Sequence, residues 1–285
     1  MKVLVTGVKG QLGFDVVKRL KALNIECKGV DIEDFDLTDE AAVRKGICDY
    51  NPDAVVHCAA FTAVDKAEDA REVCYNVNVT GVRNVALACK ETDAKMVYIS
   101  TDYVFDGQGT NFFNPEDKKD PINYYGETKS LGEDEVTKLL EKYFIIRISW
   151  VFGINGGNFV KTMIRLGKER DELNVVCDQI GSPTYTKDLA VLIADMIQTD
   201  KYGIYHATNE GVCSWAEFAK QIMLDAGLDT KINFITSDKY PAKAKRPFNS
   251  RMSKNKLDEN GFSRLPGWHD ALKRYIDELR DNEQI

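Results

Sequence analysis

A phenol and an ammonium group lie four residues apart in the stretch Tyr125-Gly-Glu-Thr-Lys129. Side chains with this spacing are neighbours on one face of an α-helix. A tyrosine has an ordinary pKa of about 10, so acid–base work at neutral pH asks for a lower value, which a neighbouring cation such as Lys129 favours. The same spacing occurs on many solvated helix surfaces, so the pair predicts chemistry only if suitable groups lie near it.

Hydroxyl, carboxyl and phenol groups follow a predicted strand directly, in Ser100-Thr101-Asp102-Tyr103. Ligands of parallel α/β sheets bind at the carboxyl ends of the strands, which is where these residues fall. The hydroxyl of Thr101 can hold a carbonyl oxygen while Tyr125 protonates it and a reduced nicotinamide supplies hydride. We therefore predict Thr101, Tyr125 and Lys129 as catalytic residues of a ketone reduction that requires no metal.

Three glycines with GxxGxxG spacing stand between the first predicted strand and the first predicted helix, at Gly7, Gly10 and Gly13. Backbone without side chains can approach a pyrophosphate, and the helix N-terminus adds unpaired N–H groups. A glycine-rich turn with no ligand is the alternative, but the position at the first βα turn favours a dinucleotide site. Gln11 and Leu12, in the same loop, are predicted to bind the cofactor too.

Asp31 ends the second predicted strand, where a carboxylate can accept both ribose hydroxyls and would repel a 2′-phosphate. This favours NADH, with NADPH possible. A solvated loop acid is the alternative, because three more carboxylates follow in the same loop. By position, we expect the adenine beside Asp36 and Leu37, and the nicotinamide beside Ala59, Ala60 and Thr62.

Apolar runs and amphipathic stretches alternate in the first half of the chain, predicting strands over 2–6, 26–30, 54–58, 95–100 and 144–150 and helices over 11–23, 40–48, 73–91 and 125–140. This alternation predicts an α/β fold, a doubly wound parallel sheet of the Rossmann type. Beyond it we expect a helix over 158–169 and a return to the sheet near 202–207. We predict a dinucleotide-binding domain over 1–152, completed near 184–210, and a smaller C-terminal substrate-binding lobe over 153–285.

The composition excludes several kinds of partner. A formal net charge of −7 argues against nucleic acid and acidic membranes, which are bound by clustered Lys and Arg. The seven cysteines are widely spaced without a CxxC pair, which favours a reducing, cytoplasmic location over a disulfide framework or a zinc site. We expect no membrane segment, and a small molecule as the ligand. His57, His206 and His269 are isolated and are expected to be structural.

Four motifs together resemble the dTDP-4-dehydrorhamnose reductases, a family of extended short-chain dehydrogenases/reductases. They are Ser100-Thr-Asp-Tyr-Val-Phe-Asp-Gly107, Ala59-Ala-Phe-Thr-Ala-Val-Asp-Lys-Ala-Glu68, Asp178-Gln-Ile-Gly-Ser-Pro-Thr184 and Arg246-Pro-Phe-Asn-Ser250. The resemblance covers nearly the whole chain and implies reduction of the 4-keto group of dTDP-4-dehydro-L-rhamnose to give dTDP-L-rhamnose. It places the family's catalytic groups on Thr101, Tyr125 and Lys129.

The resemblance also implies a sugar pocket made by Thr101, Asp102, Tyr103 and Trp150. A buried tryptophan is more often plain core packing, but the family pattern favours an indole wall against the sugar. A lobe that closes over a diphosphate needs a planar cation, and Arg246 is the best placed. Asn158 is also expected to bind substrate.

Some members of this family dimerise around magnesium held by glutamates. Lys187 stands at one matching position and Asp15 at another. A cation cannot ligate magnesium, so we doubt a bound Mg²⁺ and expect a monomer or a weak homodimer.

Two other functions stay open at this stage. A sugar-nucleotide dehydratase or epimerase on the same fold is one, although a 4,6-dehydratase of this family typically has Asp-Glu after the threonine, where this chain has Asp102-Tyr103. A non-catalytic regulatory subunit, like the reductase-like subunit of methionine adenosyltransferase, is the other. An intact Tyr125 and Lys129 disfavour the second.

Overall fold

A six-stranded parallel sheet forms the centre of the computed structural model, which describes residues 1–285. The strands of the whole chain are β1 Lys2–Thr6, β2 Glu26–Val30, β3 Ala54–His57, β4 Lys95–Thr101, β5 Tyr143–Ile148, β6 Val151–Phe152, β7 Glu172–Val176, β8 Ile180–Gly181, β9 Thr184–Tyr185, β10 Gly203–His206, β11 Asn209–Glu210, β12 Cys213–Ser214, β13 Lys231–Ile235 and β14 Leu265–Gly267.

The α-helices lie on both faces of this sheet and in the C-terminal part of the chain. They are α1 Gln11–Ala22, α2 Glu40–Tyr50, α3 Val64–Ala67, α4 Arg71–Tyr75, α5 Gly81–Thr92, α6 Tyr124–Leu139, α7 Phe159–Glu169, α8 Thr186–Met196, α9 Trp215–Ala226, α10 Asn255–Glu259 and α11 Trp268–Asp281. Short 3₁₀ turns cover Asp102–Val104 and Ser237–Lys239.

The strand order of the central sheet is β10-β5-β4-β3-β1-β2, and all neighbouring strands are parallel. The predicted doubly wound α/β fold is therefore confirmed. The order reverses between β1 and β3, so the loops after these two strands diverge and leave a crevice at the carboxyl edge. The strand predicted over 144–150 ends at Ile148, because the backbone turns at Trp150, whose φ is 51°.

The helix predicted over 73–91 is interrupted by a π-helical turn at Asn76–Thr80, which joins α4 to α5. Inside this turn Asn78 reaches the loop after β3: its Oδ1 accepts from the Phe61 backbone N–H at 2.8 Å, and its Nδ2 donates to the Phe61 carbonyl at 3.1 Å. Single π turns of this kind recur near functional sites. Here the turn fixes the loop that borders the crevice.

Two apolar cores sandwich the sheet. One lies under α1 and α8, and the other lies under α2, α5 and α6. More than half of the 23 buried residues of the first core come from beyond residue 152: Leu189, Ala190, Leu192, Ile193, Ala194, Met196, Ile197, Tyr205, Ala207, Leu257, Phe262 and Leu265. The C-terminal part of the chain thus builds one face of the dinucleotide-binding fold.

A third core, of 20 buried residues, lies among α7, α9, α11 and the parallel pair β7–β13. It is the core of the predicted substrate-binding lobe, whose boundary at residue 152 stays a prediction. No helix of the chain combines the length and the apolar character that a membrane crossing needs.

Candidate active site

The carboxyl ends of β1, β3, β4 and β5 border a cavity of about 660 Å³, here called the catalytic cavity. Most of the residues predicted from sequence line it. They are Gly7, Gly10, Gln11, Leu12, Asp31, Ala59, Ala60, Thr62, Thr101, Asp102, Tyr103, Tyr125, Lys129 and Trp150. The fold therefore brings together groups that the sequence separates by more than a hundred residues.

The glycine loop is packed too tightly for side chains. Gly7 has φ 69°, and a Cβ there would lie 2.7 Å from the Ala59 backbone nitrogen. A Cβ at Gly13 would overlap the Gly7 carbonyl oxygen, so Gly13 supports the loop without lining the cavity. Gly10 caps α1 with no side-chain hydrogen bond, which leaves first-turn N–H groups of α1 free to bind an anion. This arrangement fits a dinucleotide pyrophosphate.

Asp31 follows β2 and lines the same cavity. Its Oδ2 accepts from the Lys9 backbone N–H at 2.9 Å, and its Oδ1 accepts from the Ile32 backbone N–H at 2.9 Å. These bonds fix the carboxylate beside the glycine loop, where it is placed to accept ribose hydroxyls. The exposed Lys9 ammonium forms an ion pair with Glu33.

Tyr125 and Lys129 lie on the first two turns of α6, which begins at the Asn123 cap. Asn123 Oδ1 accepts from the Gly126 backbone N–H at 2.8 Å. A Cβ at Gly126 would overlap the Tyr103 carbonyl oxygen, so this glycine lets the helix approach the end of β4. Lys129 is buried, and its Nζ lies 4.1 Å from the centre of the Tyr98 ring.

Burial dominates the electrostatics of this pair. It raises the pKa of Tyr125 well above the ordinary value, and the Asp102 carboxylate acts in the same direction. Burial also lowers the pKa of Lys129 to about 7, against the opposing effect of the Glu133 carboxylate. The sequence predicts a lowered pKa for this phenol. In the protein without ligands the pKa of Tyr125 is raised instead, because burial outweighs the lowering effect of the Thr101 hydrogen bond. Tyr125 is therefore protonated at neutral pH, as a proton donor must be.

Thr101 and Asp102 form a buried hydroxyl–carboxylate pair beside Tyr125. Thr101 Oγ1 donates to Asp102 Oδ1 at 3.0 Å, and Asp102 also accepts from the Ser250 hydroxyl. Burial raises the pKa of Asp102 to about 6. The rings of Tyr103 and Tyr125 meet edge to face, with centroids 5.6 Å apart. These contacts surround the phenol with polar groups suited to a sugar.

A buried ion pair beneath the cavity was not predicted from the sequence. Arg147 on β5 donates to Glu133 on α6 through Nε and Nη2, both at 2.8 Å. The Ser100 hydroxyl donates to the same carboxylate at 2.6 Å. The ion pair thus joins the helix of Lys129 to β5, and the Ser100 bond joins the same helix to the strand of Thr101. No local spacing signals it, because the partners are 14 and 33 residues apart.

Trp150 stacks on a residue that sequence reasoning missed, Trp215, with ring centroids 3.8 Å apart and planes at 17°. Both indoles are half-buried and line the catalytic cavity. Trp215 follows the helix cap Ser214, whose capping box with Glu217 is visible in the sequence as a helix start. That pattern predicts α9 but gives no sign that its first residue reaches Trp150.

A second cavity of about 930 Å³, here called the lobe cavity, adjoins the catalytic cavity at Tyr103 and Trp215. Arg246 lines the lobe cavity, and its Nη2 donates to Asp65 Oδ2 at 2.8 Å. The predicted diphosphate cation is thus near the crevice but outside the catalytic cavity.

Three other predicted residues also lie outside the lining of the catalytic cavity. Asn158 caps α7 and donates to Gln11 Oε1 at 3.0 Å, so it reaches the cavity only through Gln11. Asp36 accepts from the Thr38 backbone N–H and hydroxyl. Leu37 packs against Gly81, and its carbonyl accepts from Asn84 at 2.9 Å. An adenine beside Asp36 and Leu37 stays a prediction.

Lys187 and Asp15, which the sequence comparison predicts at the positions of magnesium ligands, have protein partners in this structure. Lys187 Nζ lies 2.9 Å from Glu278 Oε1, and Asp15 Oδ2 accepts from the Thr186 hydroxyl at 2.5 Å. No group of three or more His, Cys, Asp or Glu side chains is arranged to hold a metal ion. The Glu278 carboxylate is paired with the Lys187 ammonium, and the Lys18 ammonium lies farther from it, at 3.9 Å.

Comparison with known proteins relates nearly the whole chain to one family. Residues 1–281 match the family model described as the RmlD substrate binding domain. The chain is 43% identical over 277 residues to the spore coat polysaccharide biosynthesis protein SpsK of Bacillus subtilis, covering 97% of each chain. It is 40% identical over 286 residues to the dTDP-4-dehydrorhamnose reductase of Aggregatibacter actinomycetemcomitans, covering 95% of this chain and 97% of the relative.

A solved structure of similar sequence has the same fold. The dTDP-4-dehydrorhamnose reductase of Bacillus anthracis, crystallised in complex with NADP, superposes with a TM-score of 0.95 at 44% sequence identity. The match covers 97% of this chain and 99% of that one. The architecture described above, including the lobe, is therefore shared along the full length of the two proteins.

Proposed function

Because the chain belongs to the RmlD substrate binding domain family, we propose that it is an NAD(P)H-dependent reductase that converts dTDP-4-dehydro-L-rhamnose to dTDP-L-rhamnose. One observation carries the proposal: Thr101, Tyr125 and Lys129 line the same cavity as the glycine loop. A proton donor, an oxygen-binding hydroxyl and a dinucleotide site thus share one space. The names of the relatives and the Bacillus anthracis structure support the same substrate and cofactor class.

The residues that line the catalytic cavity have different roles in a ketone reduction. The glycine loop, with Gly7 and Gly10, would hold a nicotinamide dinucleotide, whose reduced ring would supply hydride to the carbonyl carbon. Tyr125 gives its proton to the carbonyl oxygen, which Thr101 holds by a hydrogen bond. The buried ammonium of Lys129 stabilises the phenolate that remains on Tyr125. Asp102 and Tyr103 bind sugar hydroxyls, and Trp150 provides the apolar wall.

The lobe cavity suits the nucleoside diphosphate. Arg246 presents a planar cation there, and Phe248 and Tyr240 add aromatic surface for a base. Arg246 is paired with Asp65 in the structure, so binding a diphosphate exchanges one anionic partner for another. We assign the sugar to the catalytic cavity and the diphosphate and base to the lobe cavity.

NADH is proposed as the favoured cofactor, with NADPH also accepted. Asp31 supports this preference, because its fixed carboxylate accepts ribose hydroxyls and repels a 2′-phosphate. The NADP complex of the Bacillus anthracis relative supports acceptance of the phosphorylated form.

We further propose a monomer or weak homodimer without a bridging metal, since Lys187 pairs with Glu278. A cytoplasmic location is supported by seven cysteines that are all free thiols. The rival dehydratase chemistry has no support at the site, because the residue after Asp102 is a tyrosine rather than a second carboxylic acid.

Assay of the purified chain with a panel of nucleotide-linked 4-keto sugars tests the proposal. We expect NADH oxidation with dTDP-4-dehydro-L-rhamnose, and a Tyr125→Phe variant that folds and binds NADH but loses roughly 10² to 10⁴ in kcat. A Tyr124→Phe variant is the matched control, because Tyr124 precedes Tyr125 on α6 and does not line the catalytic cavity. Near-normal turnover by Tyr125→Phe would show that the proton donor is misassigned.

A further inference from the structure

Two side chains, Tyr103 and Trp215, line both the catalytic cavity and the lobe cavity. Tyr103 comes from the 3₁₀ turn after β4, whereas Trp215 is the first residue of α9 in the lobe. Any ligand that occupies both cavities at once must pass these two rings. The space between the two rings can therefore select ligands by their shape.

Two aromatic rings contact the Trp215 ring. Its indole stacks on Trp150 at 3.8 Å between centroids, and the Phe159 ring lies 4.6 Å away at 55°. Phe159 also lines the lobe cavity, so the aromatic row runs from one cavity into the other. Offset and tilted ring pairs of this kind fix each other's orientation.

Trp150 needs such support, because its backbone is in the left-handed region at φ 51°, which bulky residues rarely adopt. Gly181 packs beneath it: a Cβ there would lie 2.9 Å from Trp150 Cε2. Gly181 belongs to β8, which pairs with β12, and Trp215 follows β12 directly. The same short strand pair thus places both the floor and the stacking partner of Trp150.

We propose that Trp215 is a substrate-positioning residue. With Tyr103 it forms the passage that a nucleotide sugar spans, and its ring holds Trp150 against the sugar. This proposal rests on the proposed function, because it takes the sugar in the catalytic cavity and the diphosphate in the lobe cavity. Trp215 acts on the reaction through Trp150 and the width of the passage. It takes no part in proton or hydride transfer.

Steady-state kinetics of Trp215→Ala and Trp215→Phe test this role. Loss of the ring is expected to raise KM for dTDP-4-dehydro-L-rhamnose roughly tenfold, with a smaller change in kcat, as a lost aromatic contact would. The Kd for NADH is expected to stay within about twofold of the wild type, because the rings around Trp215 are those of Trp150, Phe159 and Phe218, none of which belongs to the glycine loop. The phenylalanine variant keeps a flat ring and is expected to recover most of the loss.

Leu224→Ala is the matched control, since Leu224 lies on the same helix and its side chain is 71% exposed. It is expected to leave KM and kcat unchanged. If the Trp215→Ala protein does not fold, Trp215→Leu takes its place, because leucine fills space without stacking.

The outcomes separate this proposal from the function on which it rests. Wild-type protein that reduces no nucleotide-linked 4-keto sugar overturns the proposed function. An active wild type with an unchanged KM in the alanine variant overturns only the role of Trp215. Parallel loss of NADH binding and of sugar binding also overturns it, because that pattern indicates a general packing defect.

Discussion

The charge state of Lys129 links the geometry of the site to the pH at which it works. Its ammonium has a pKa of about 7, because burial opposes the charged form. The proton that leaves Tyr125 in a reduction leaves a phenolate, which needs that positive charge beside it. As pH rises through about 7, a growing share of Lys129 becomes neutral. We therefore expect kcat/KM for reduction to fall above that pH, roughly tenfold per unit once well beyond it.

Asp102 is expected to shape the acid side of the same pH profile of kcat/KM. Burial raises its pKa to about 6, so it loses negative charge as pH falls through that value and kcat/KM should fall on the acid side as well. Asp102→Asn should remove the acid limb and keep the alkaline one. A wild-type profile that is flat across neutral and mildly alkaline pH would contradict the role given to Lys129.

Asp31 determines the predicted choice between the two nicotinamide cofactors. Its carboxylate is held by the Lys9 and Ile32 backbone N–H groups, so it cannot turn away from a 2′-phosphate without losing both bonds. Fluorescence titration is expected to show NADH binding at least as tightly as NADPH. Asp31→Asn should improve NADPH relative to NADH by roughly tenfold, equivalent to about 1.4 kcal/mol.

The control for this titration is Asp36→Asn, which removes the same charge from the same loop at a residue outside the catalytic cavity. It should leave the ratio of the two dissociation constants close to that of the wild type, because the adenine predicted to lie beside Asp36 is the same in both cofactors. A clear preference of the unmodified protein for NADPH would show that the Asp31 carboxylate does not exclude a 2′-phosphate.

Among the elements, the segment 237–250, here called the strap, lies along the lobe cavity and is fastened to the dinucleotide-binding side. Asp65 Oδ1 accepts from the Ala244 backbone N–H at 3.0 Å, and Asp65 Oδ2 accepts from Arg246 at 2.8 Å. Asn123 Nδ2 donates to the Lys245 carbonyl at 2.8 Å. One carboxylate thus carries two of these three bonds.

Removal of that carboxylate should loosen the strap. In the ligand-free protein, Asp65→Ala is expected to speed tryptic cleavage after Lys243 or Lys245 by up to roughly thirtyfold, since two bonds are lost and each is worth about 1 kcal/mol. Asp69→Ala is the comparison, because Asp69 forms only an exposed ion pair with Lys243 and such pairs contribute little. Equal cleavage rates for the two variants would argue against Asp65 as the fastening.

The sequence predicts well those parts of the site whose signal is local. The glycine loop, the four-residue spacing of Tyr125 and Lys129 and the strand that ends at Thr101 each depend on neighbouring residues. The contacts of Trp215 with Trp150 and of Arg246 with Asp65 span 65 and 181 residues, so no periodicity encodes them. The break of the helix at Asn78 was missed for the same reason, since its partner is a loop 17 residues away.

At the scale of the whole molecule, the two predicted domains do not divide the apolar core between them. The core under α1 takes more than half of its 23 buried residues from beyond residue 152, on α8, β10 and the segment 257–265. β10 also pairs with β5 along Gly203–His206 and covers that edge of the sheet. A chain cut at residue 152 would leave apolar side chains of α1 and an edge strand exposed to water.

We therefore expect a fragment of residues 1–152 to aggregate, or to unfold without a cooperative transition, although it contains the glycine loop, Thr101, Tyr125 and Lys129. Circular dichroism during heating measures whether the fragment unfolds cooperatively, and a parallel titration measures whether it binds NADH. Co-expression with residues 153–285 is the control, since the second piece supplies α8 and β10 and should restore soluble protein that binds NADH. If the fragment alone were soluble, unfolded cooperatively and bound NADH, the return of the chain to the sheet would be dispensable for this fold.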